Sequence, residues 1–259
     1  MIQFQEPKIV VAVHKPSLVP NNDLYTTICA GASKNRGDFV ADHYDDQGVN
    51  ISSKNNYYCE LTPLYWFWKN CKAPVIGLCH YRRYFKLDNK SDYYLTKKQI
   101  KNLPEFDILL PTVRKYWFIT VKEHFEAQFS KYYWSVLDDV ILDISPDYYD
   151  SFNVVSNKTN LHLYNMFIMK WDIFDEYMNW LFYILEEIEN RLLIAENPKK
   201  HLRMLGHYAE RLLNVWIEKN SHKYNLNHIE VINTEKHNEI KKTFKLLLNY
   251  SKLKLRLRR

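Results

Sequence analysis

Glycine is scarce, with 5 residues in 259, at positions 31, 37, 48, 77 and 206. No two lie close enough for a G-x-G-x-x-G turn or a P-loop. A bound phosphate must therefore be held by side chains or by the bare N–H groups of a helix N-terminus. Cys29, Cys59, Cys71 and Cys79 form no C-x-x-C pair and sit in apolar or helical surroundings. That pattern argues against a zinc knuckle or a disulfide framework and suits reduced core thiols. No apolar run reaches the roughly 20 residues that span a bilayer. The polar stretch Met1–Pro7 passes straight into a strand without a signal-peptide pattern. The expectation is a cytoplasmic chain.

What is present is ample for a folded core: 46% of the residues are hydrophobic and 15% aromatic. Charge is distributed unevenly. Residues 235–259 carry 9 Lys and Arg against 2 Glu, leaving 27 basic and 28 acidic residues in the first 234. The net charge of +6 thus resides in the tail. Ile240, Phe244, Leu247 and Leu248 share one helical face among lysines, and the end alternates Lys252-Leu253-Lys254-Leu255-Arg256-Leu257-Arg258. Such a segment suits an anionic bilayer surface, or a solvated helix packed on its own domain. Nucleic acid is not an expected partner, because the body has no matching basic surplus and no reader motif.

Along the chain, β-branched and apolar runs predict strands at 8–13, 75–79, 106–110, 161–169 and 228–232. Helical periodicity covers 57–70, with a kink or restart at Pro63, and then 120–129, 132–144, 147–155, 172–193 and, just after Gly206, 207–216. Ser52, Ser53 or Thr62 would cap the first of these helices. The alternation predicts a single α/β domain with ligands at the carboxyl ends of its strands. Strand 75–79 empties into His80-Tyr81-Arg82-Arg83, where two guanidiniums and an imidazole can hold a phosphorylated ligand. Strand 8–13 ends in His14-Lys15.

Asn50-Ile51-Ser52 with Asn55, Glu60-Leu61-Thr62, Tyr65-Trp66, Trp68-Lys69-Asn70, His80-Tyr81-Arg82-Arg83-Tyr84-Phe85, Asp107-Ile108-Leu109-Leu110-Pro111, Asn165-Met166-Phe167 and Glu210-Arg211-Leu212 occur in this order. Over residues 8–232 the set resembles the domain of unknown function 4422 family of bacterial capsule, exopolysaccharide and O-antigen gene clusters. Characterised relatives are glycosyltransferases, including β-galactofuranosyltransferases using UDP-galactofuranose. The resemblance implies a GT-A-like, Rossmann-like α/β domain over 1–234 with a mixed, mainly parallel sheet flanked by helices, and a basic C-terminal helix over 235–259. It also implies inverting hexosyl transfer from a UDP-sugar to a lipid-linked saccharide at the cytoplasmic face of the inner membrane.

Within that frame the candidate residues acquire roles. His80, Arg82 and Arg83 hold the diphosphate where many GT-A enzymes use an Asp-x-Asp and a metal, so no cofactor is expected and a divalent metal is not favoured. The alternative pairs one arginine with Glu60 or Asp107. His14 and Lys15 would approach the nucleotide, as would Asn55 and Tyr58, unless Lys15 is a surface lysine, Asn55 a cap and Tyr58 a core ring. His207 and Glu210 share a helix face by their i, i+3 spacing, with Glu210 the expected general base and Asp107 or Asp38 its substitutes. Glu210 with Arg211 has a plain ion-pair reading too. Asn165, in an apolar run, is costly to bury without a partner and suits acceptor or sugar binding, or a backbone-bonded amide. A non-catalytic sugar-nucleotide or polysaccharide-binding protein is the rival function.

Overall fold

The computed structural model describes residues 1–37, 39–87, 94–103, 105–194 and 196–235. Asp38 and the basic segment from residue 236 onward lie outside the described residues. In chain order the strands are β1 (Ile2–Gln3), β2 (Lys8–Val13), β3 (Tyr25–Cys29), β4 (His43–Tyr44), β5 (Cys71–Lys72), β6 (Val75–His80), β7 (Arg83–Lys86), β8 (Ile108–Pro111), β9 (Arg114–Lys115), β10 (Asn160–Leu161), β11 (Phe167–Lys170) and β12 (Leu226–Asn233). The helices are α1 (Asn55–Tyr58), α2 (Leu61–Asn70), α3 (Lys97–Asn102), α4 (Val121–Gln128), α5 (Lys131–Ile144), α6 (Tyr149–Asn157), α7 (Trp171–Arg191) and α8 (Met204–Asn220).

Eight strands form one sheet in the order β11-β8-β12-β7-β6-β2-β3-β4, with β11 also pairing β6. The β2, β3, β4 and β6 region is parallel, whereas β11 runs antiparallel to both β6 and β8, and β7 antiparallel to β12. The sheet is therefore more evenly mixed than the mainly parallel one expected. Side-chain alternation explains why β2 reads as a continuous apolar run. Ile9, Val11 and Val13 enter one core and Val10 the other, so both faces are covered. The larger core also contains apolar residues of α2, α7 and α8. Gly77 lies where β6 is crowded from both sides. A Cβ there would stand 3.0 Å from Ile168 Cγ1 and 3.1 Å from Ile9 Cγ1.

Three segments differ from the sequence expectation. The helix over 57–70 is broken at Cys59, whose φ is 54°, and Asn55 Nδ2 closes the break by donating to Cys59 O at 2.8 Å and Thr62 Oγ1 at 2.9 Å. The apolar run 161–169 is interrupted by Tyr164 (φ 74°) and Asn165 (φ 54°), so only Phe167–Lys170 continue as β11. Arg83, read as a site residue, also opens a strand, Arg83–Lys86, in which Tyr84 and Phe85 are fully buried.

Candidate active site

The carboxyl ends of β2, β3 and β6 open on one side of the sheet into a cleft of about 620 Å³. His14 and Ala30 follow the first two strands, and His80 ends the third. The opposite wall is the start of α8, with Arg203, Gly206 and His207, together with Cys59, Glu60 and the Tyr164–Asn165 turn. The N-terminal end of this 17-residue helix therefore faces the strand ends, adding partial positive charge. The loop after β3 is held by the fully buried Asp45, which accepts from Gly31 N at 2.8 Å, Ala32 N at 2.9 Å and Ser52 Oγ at 2.5 Å.

Arg82, Arg83 and Arg203 all line the cleft. Arg82 donates to Glu235 Oε2 at 3.0 Å, and Lys15 reaches Oε1 of the same carboxylate at 3.3 Å. Arg83 is different. It is 9% exposed and no carboxylate forms an ion pair with it among the described residues; its Nε, like that of Arg82, has no hydrogen-bond partner there. Its guanidinium stacks 4.0 Å from the centroid of Tyr164. Burial lowers its pKa, but a guanidinium keeps its charge at neutral pH. Glu60 acts on it electrostatically from beyond ion-pair distance, so the buried cation has a neighbouring negative charge but no direct carboxylate partner among the described residues.

The imidazoles are held neutral. Burial pushes His207 down to about 3, with Arg211 and Arg203 adding to the effect, and burial is also the main cause lowering His80 and His14. His80 Nε2 lies 2.6 Å from Tyr164 O, so the neutral ring carries its proton on Nε2. His14 packs edge-on against Tyr81 at 4.8 Å. Burial pushes the Cys59 thiol up to about 12, leaving no thiolate for covalent chemistry.

Two carboxylates line the cleft, and they are used differently. Glu210 Oε1 accepts from Tyr164 N at 2.6 Å and Oε2 from Arg211 Nη1 at 2.7 Å, so both oxygens are engaged. Glu210 and His80 together satisfy the main-chain N–H and C=O of Tyr164, which explains how a left-handed turn replaces a strand there. Glu60 accepts from Asn165 Nδ2 at 2.7 Å through Oε1, and Oε2 has no hydrogen bond among the described residues. Asn165 also donates to Gly206 O at 3.1 Å, while its buried Oδ1 is unpartnered.

The fold brings together His14, Asn55, His80, Arg82, Arg83, Asn165, His207 and Glu210 from the sequence candidates. It does not bring the others. Lys15 is turned to Glu235 and Tyr81 outside the lining. Tyr58 is 3% exposed and donates to Glu189 on α7 at 3.0 Å, making it a core ring. Asp107 immediately precedes β8, away from the cleft lining, where it pairs with Lys170 at 2.7 Å and accepts from Asn225 N at 2.8 Å. Glu60, Arg203 and Tyr164 are cleft residues that sequence reasoning did not place there. Their only local signals were one basic residue ahead of a helix start and an aromatic beside Asn165. Among the described residues no three His, Cys, Asp or Glu side chains converge as a metal cluster, and no helix is long and apolar enough to cross a membrane.

Comparison with known proteins agrees with this architecture. The family model described as domain of unknown function (DUF4422) matches residues 8–223. Among solved structures, the apo form of the bifunctional glycosyltransferase WbbM is similar at 26% identity and a TM-score of 0.80, over 90% of this chain and 46% of that one. The chain thus spans about half the length of that protein. No curated protein matches the chain at a significant level.

Proposed function

The chain belongs to the DUF4422 family, and from that membership together with the cleft we propose that it is a glycosyltransferase of GT-A-like fold. The donor is a UDP-hexose, with UDP-galactofuranose and inversion as the specific form. The acceptor is a lipid-linked saccharide of bacterial surface-polysaccharide synthesis. The likeness to a bifunctional glycosyltransferase over 90% of the chain supports the reaction class.

One observation carries the reading: the buried Arg83 guanidinium has no carboxylate partner among the described residues and lines a cleft at the carboxyl ends of strands. A diphosphate supplies the direct anionic partner, with Arg82, Arg203 and the N-terminus of α8 sharing it. In the transfer, an acceptor hydroxyl oxygen bonds to the anomeric carbon on the face opposite UDP. The bond from that carbon to the diphosphate oxygen breaks, and its electron pair leaves on UDP. The guanidiniums stabilise the charge as it develops. The hydroxyl proton goes to a carboxylate, which we assign to Glu60 because Oε2 is unengaged. Glu210, with both oxygens bonded, instead holds the Tyr164–Asn165 turn. The neutral His207, depressed to about 3, is too weak a base at neutral pH to replace it.

Residues 235–259 would hold the enzyme on the anionic inner-membrane surface, close to a lipid-anchored acceptor. Incubating the full chain with a panel of UDP-hexoses and octyl glycosides, with products read by mass spectrometry, tests the central claim. Transfer, or slow UDP release without acceptor, is expected. UDP binding with neither would leave the non-catalytic sugar-nucleotide-binding reading. Flotation of full-length and 240-truncated chains with anionic vesicles tests the tail, and equal flotation would refute its role.

A further inference from the structure

A second cavity of about 340 Å³ adjoins the cleft, and Arg83 and Tyr164 line both. Its other walls come from the carboxyl end of β8, the loop Thr112–Arg114 and the end of β12. Its volume falls at the lower end of the ~300–1,000 Å³ range of small-ligand sites. The polar lining is mixed in kind. Thr112 offers a hydroxyl that donates to Glu230 Oε1 at 3.3 Å, and Asn233 adds an amide. Hydroxyl, amide and carboxylate side by side can meet the alternating donors and acceptors of sugar hydroxyls.

Beyond β9, which leads away from this cavity at Arg114, the chain carries an unusual residue. Trp117 is 80% exposed and has a φ of 64°. It is the central residue of a γ-turn closed by Phe118 N donating to Tyr116 O at 2.7 Å. A bulky residue pays strain in that conformation, and such strain persists only where the surroundings impose it. They do so here: Tyr116 N is tied to Thr159 O at 2.7 Å and Val121 N to Lys158 O at 2.9 Å, while Tyr116 is 5% exposed. The loop is pinned on both sides of an indole turned to solvent. It lies three positions after Arg114, a span of at most ~11 Å. An indole face is a large, rigid and partly polar platform suited to a ligand that is apolar on one face and wet on the other, as a sugar ring is.

We infer that this cavity, with Trp117 in the turn just beyond β9, is the acceptor subsite and takes the terminal saccharide of the acceptor, whose reacting hydroxyl passes Arg83 and Tyr164 into the cleft. The inference rests on the transferase reading above. In the lining, Thr112, Glu230 and Asn233 select the sugar through its hydroxyls, and Trp117 supports the ring.

The test uses the full chain, with saturation-transfer NMR on octyl β-glycosides of glucose, galactose, N-acetylglucosamine and rhamnose, and titration calorimetry with UDP. At least one glycoside is expected to show saturation on its ring protons. Trp117→Ala and Glu230→Gln are each expected to weaken that glycoside about tenfold, the loss of one good contact, with UDP affinity within about twofold of wild type. Trp117→Gly adopts the positive φ freely and serves as the variant with the loop relaxed. The inference is overturned if no glycoside binds, if octanol alone competes the signal away, or if both variants bind the glycoside as wild type does. Absence of UDP binding by the wild-type chain would instead refute the donor reading, whatever the glycosides do.

Discussion

Replacing Glu210 by Ala separates a scaffold from a base. Its carboxylate accepts from Tyr164 N at 2.6 Å and from Arg211 Nη1 at 2.7 Å, and its side chain is only 14% exposed. The Arg211 side chain is 1% exposed and keeps only His207 O, His124 Nδ1 and the Phe125 ring after the change. Breaking a buried pair on one side costs about 3–5 kcal/mol. The Tyr164 N–H adds at the low end of about 1–3 kcal/mol, because the neighbouring cleft admits water. Taking the low ends together, about 4 kcal/mol, and about 2–4 °C per kcal/mol at this chain length, the midpoint falls by about 8–16 °C. Arg211→Met in the same chain should recover much of the loss, since a buried pair replaced by apolar groups is often close to neutral. Scanning fluorimetry of the single and double variants reads the cycle, and donor hydrolysis reads activity. By contrast, Glu60→Gln should leave the midpoint nearly unchanged while lowering turnover by about 10²–10⁴. Loss of turnover in Glu210→Gln with an unchanged midpoint would refute the scaffold assignment and return the base to Glu210.

Other outcomes follow from the same geometry. Arg83→Ala should weaken UDP by about 10–100-fold, one charge-assisted contact's worth, with Arg203→Ala acting in the same direction; calorimetry showing unchanged UDP affinity in both would refute the diphosphate site. A chelator should leave turnover intact if the arginines carry the diphosphate, and a loss restored by manganese would show that a metal is required. Stability should fall on acidification below neutrality. His124 and His207 are both depressed to about 3 by burial, so below ~6.5 the unfolded chain takes up protons that the folded one refuses. Their stabilisation is complete above the unfolded pKa and declines as pH falls toward 3. From pH 7.5 to 5.5 each costs about 1.4 kcal/mol, and a thermal midpoint constant over that interval would contradict the burial of both rings.

Much of the fold was legible because strands and helices leave a local periodicity. The β2 run showed itself through β-branching, and α7 through its amphipathic stripe. The failures occurred where side chains replaced the ladder as backbone partners. Nothing in Leu161–Met169 announces that Glu210 will take the Tyr164 N–H and His80 its carbonyl, 46 and 84 residues away in the chain. Asp107 carried the right chemistry but lies just before β8, at the end of that strand away from the second cavity, and Tyr58 fell on the helix face turned to α7.

The sequence by itself determined that a phosphate would have no glycine cradle, that Arg82 and Arg83 follow a buried strand, and that the chain resembles its family, because composition and short ordered motifs need no partner to be read. Only the tertiary structure decided which cation is bare. Glu235, 153 residues from Arg82, takes that guanidinium and Lys15, while Arg83 is left in the cleft without a carboxylate partner among the described residues. Arg82 sits in the two-residue turn between β6 and β7 whereas Arg83 opens β7, so two arginines that read alike in sequence meet different surroundings.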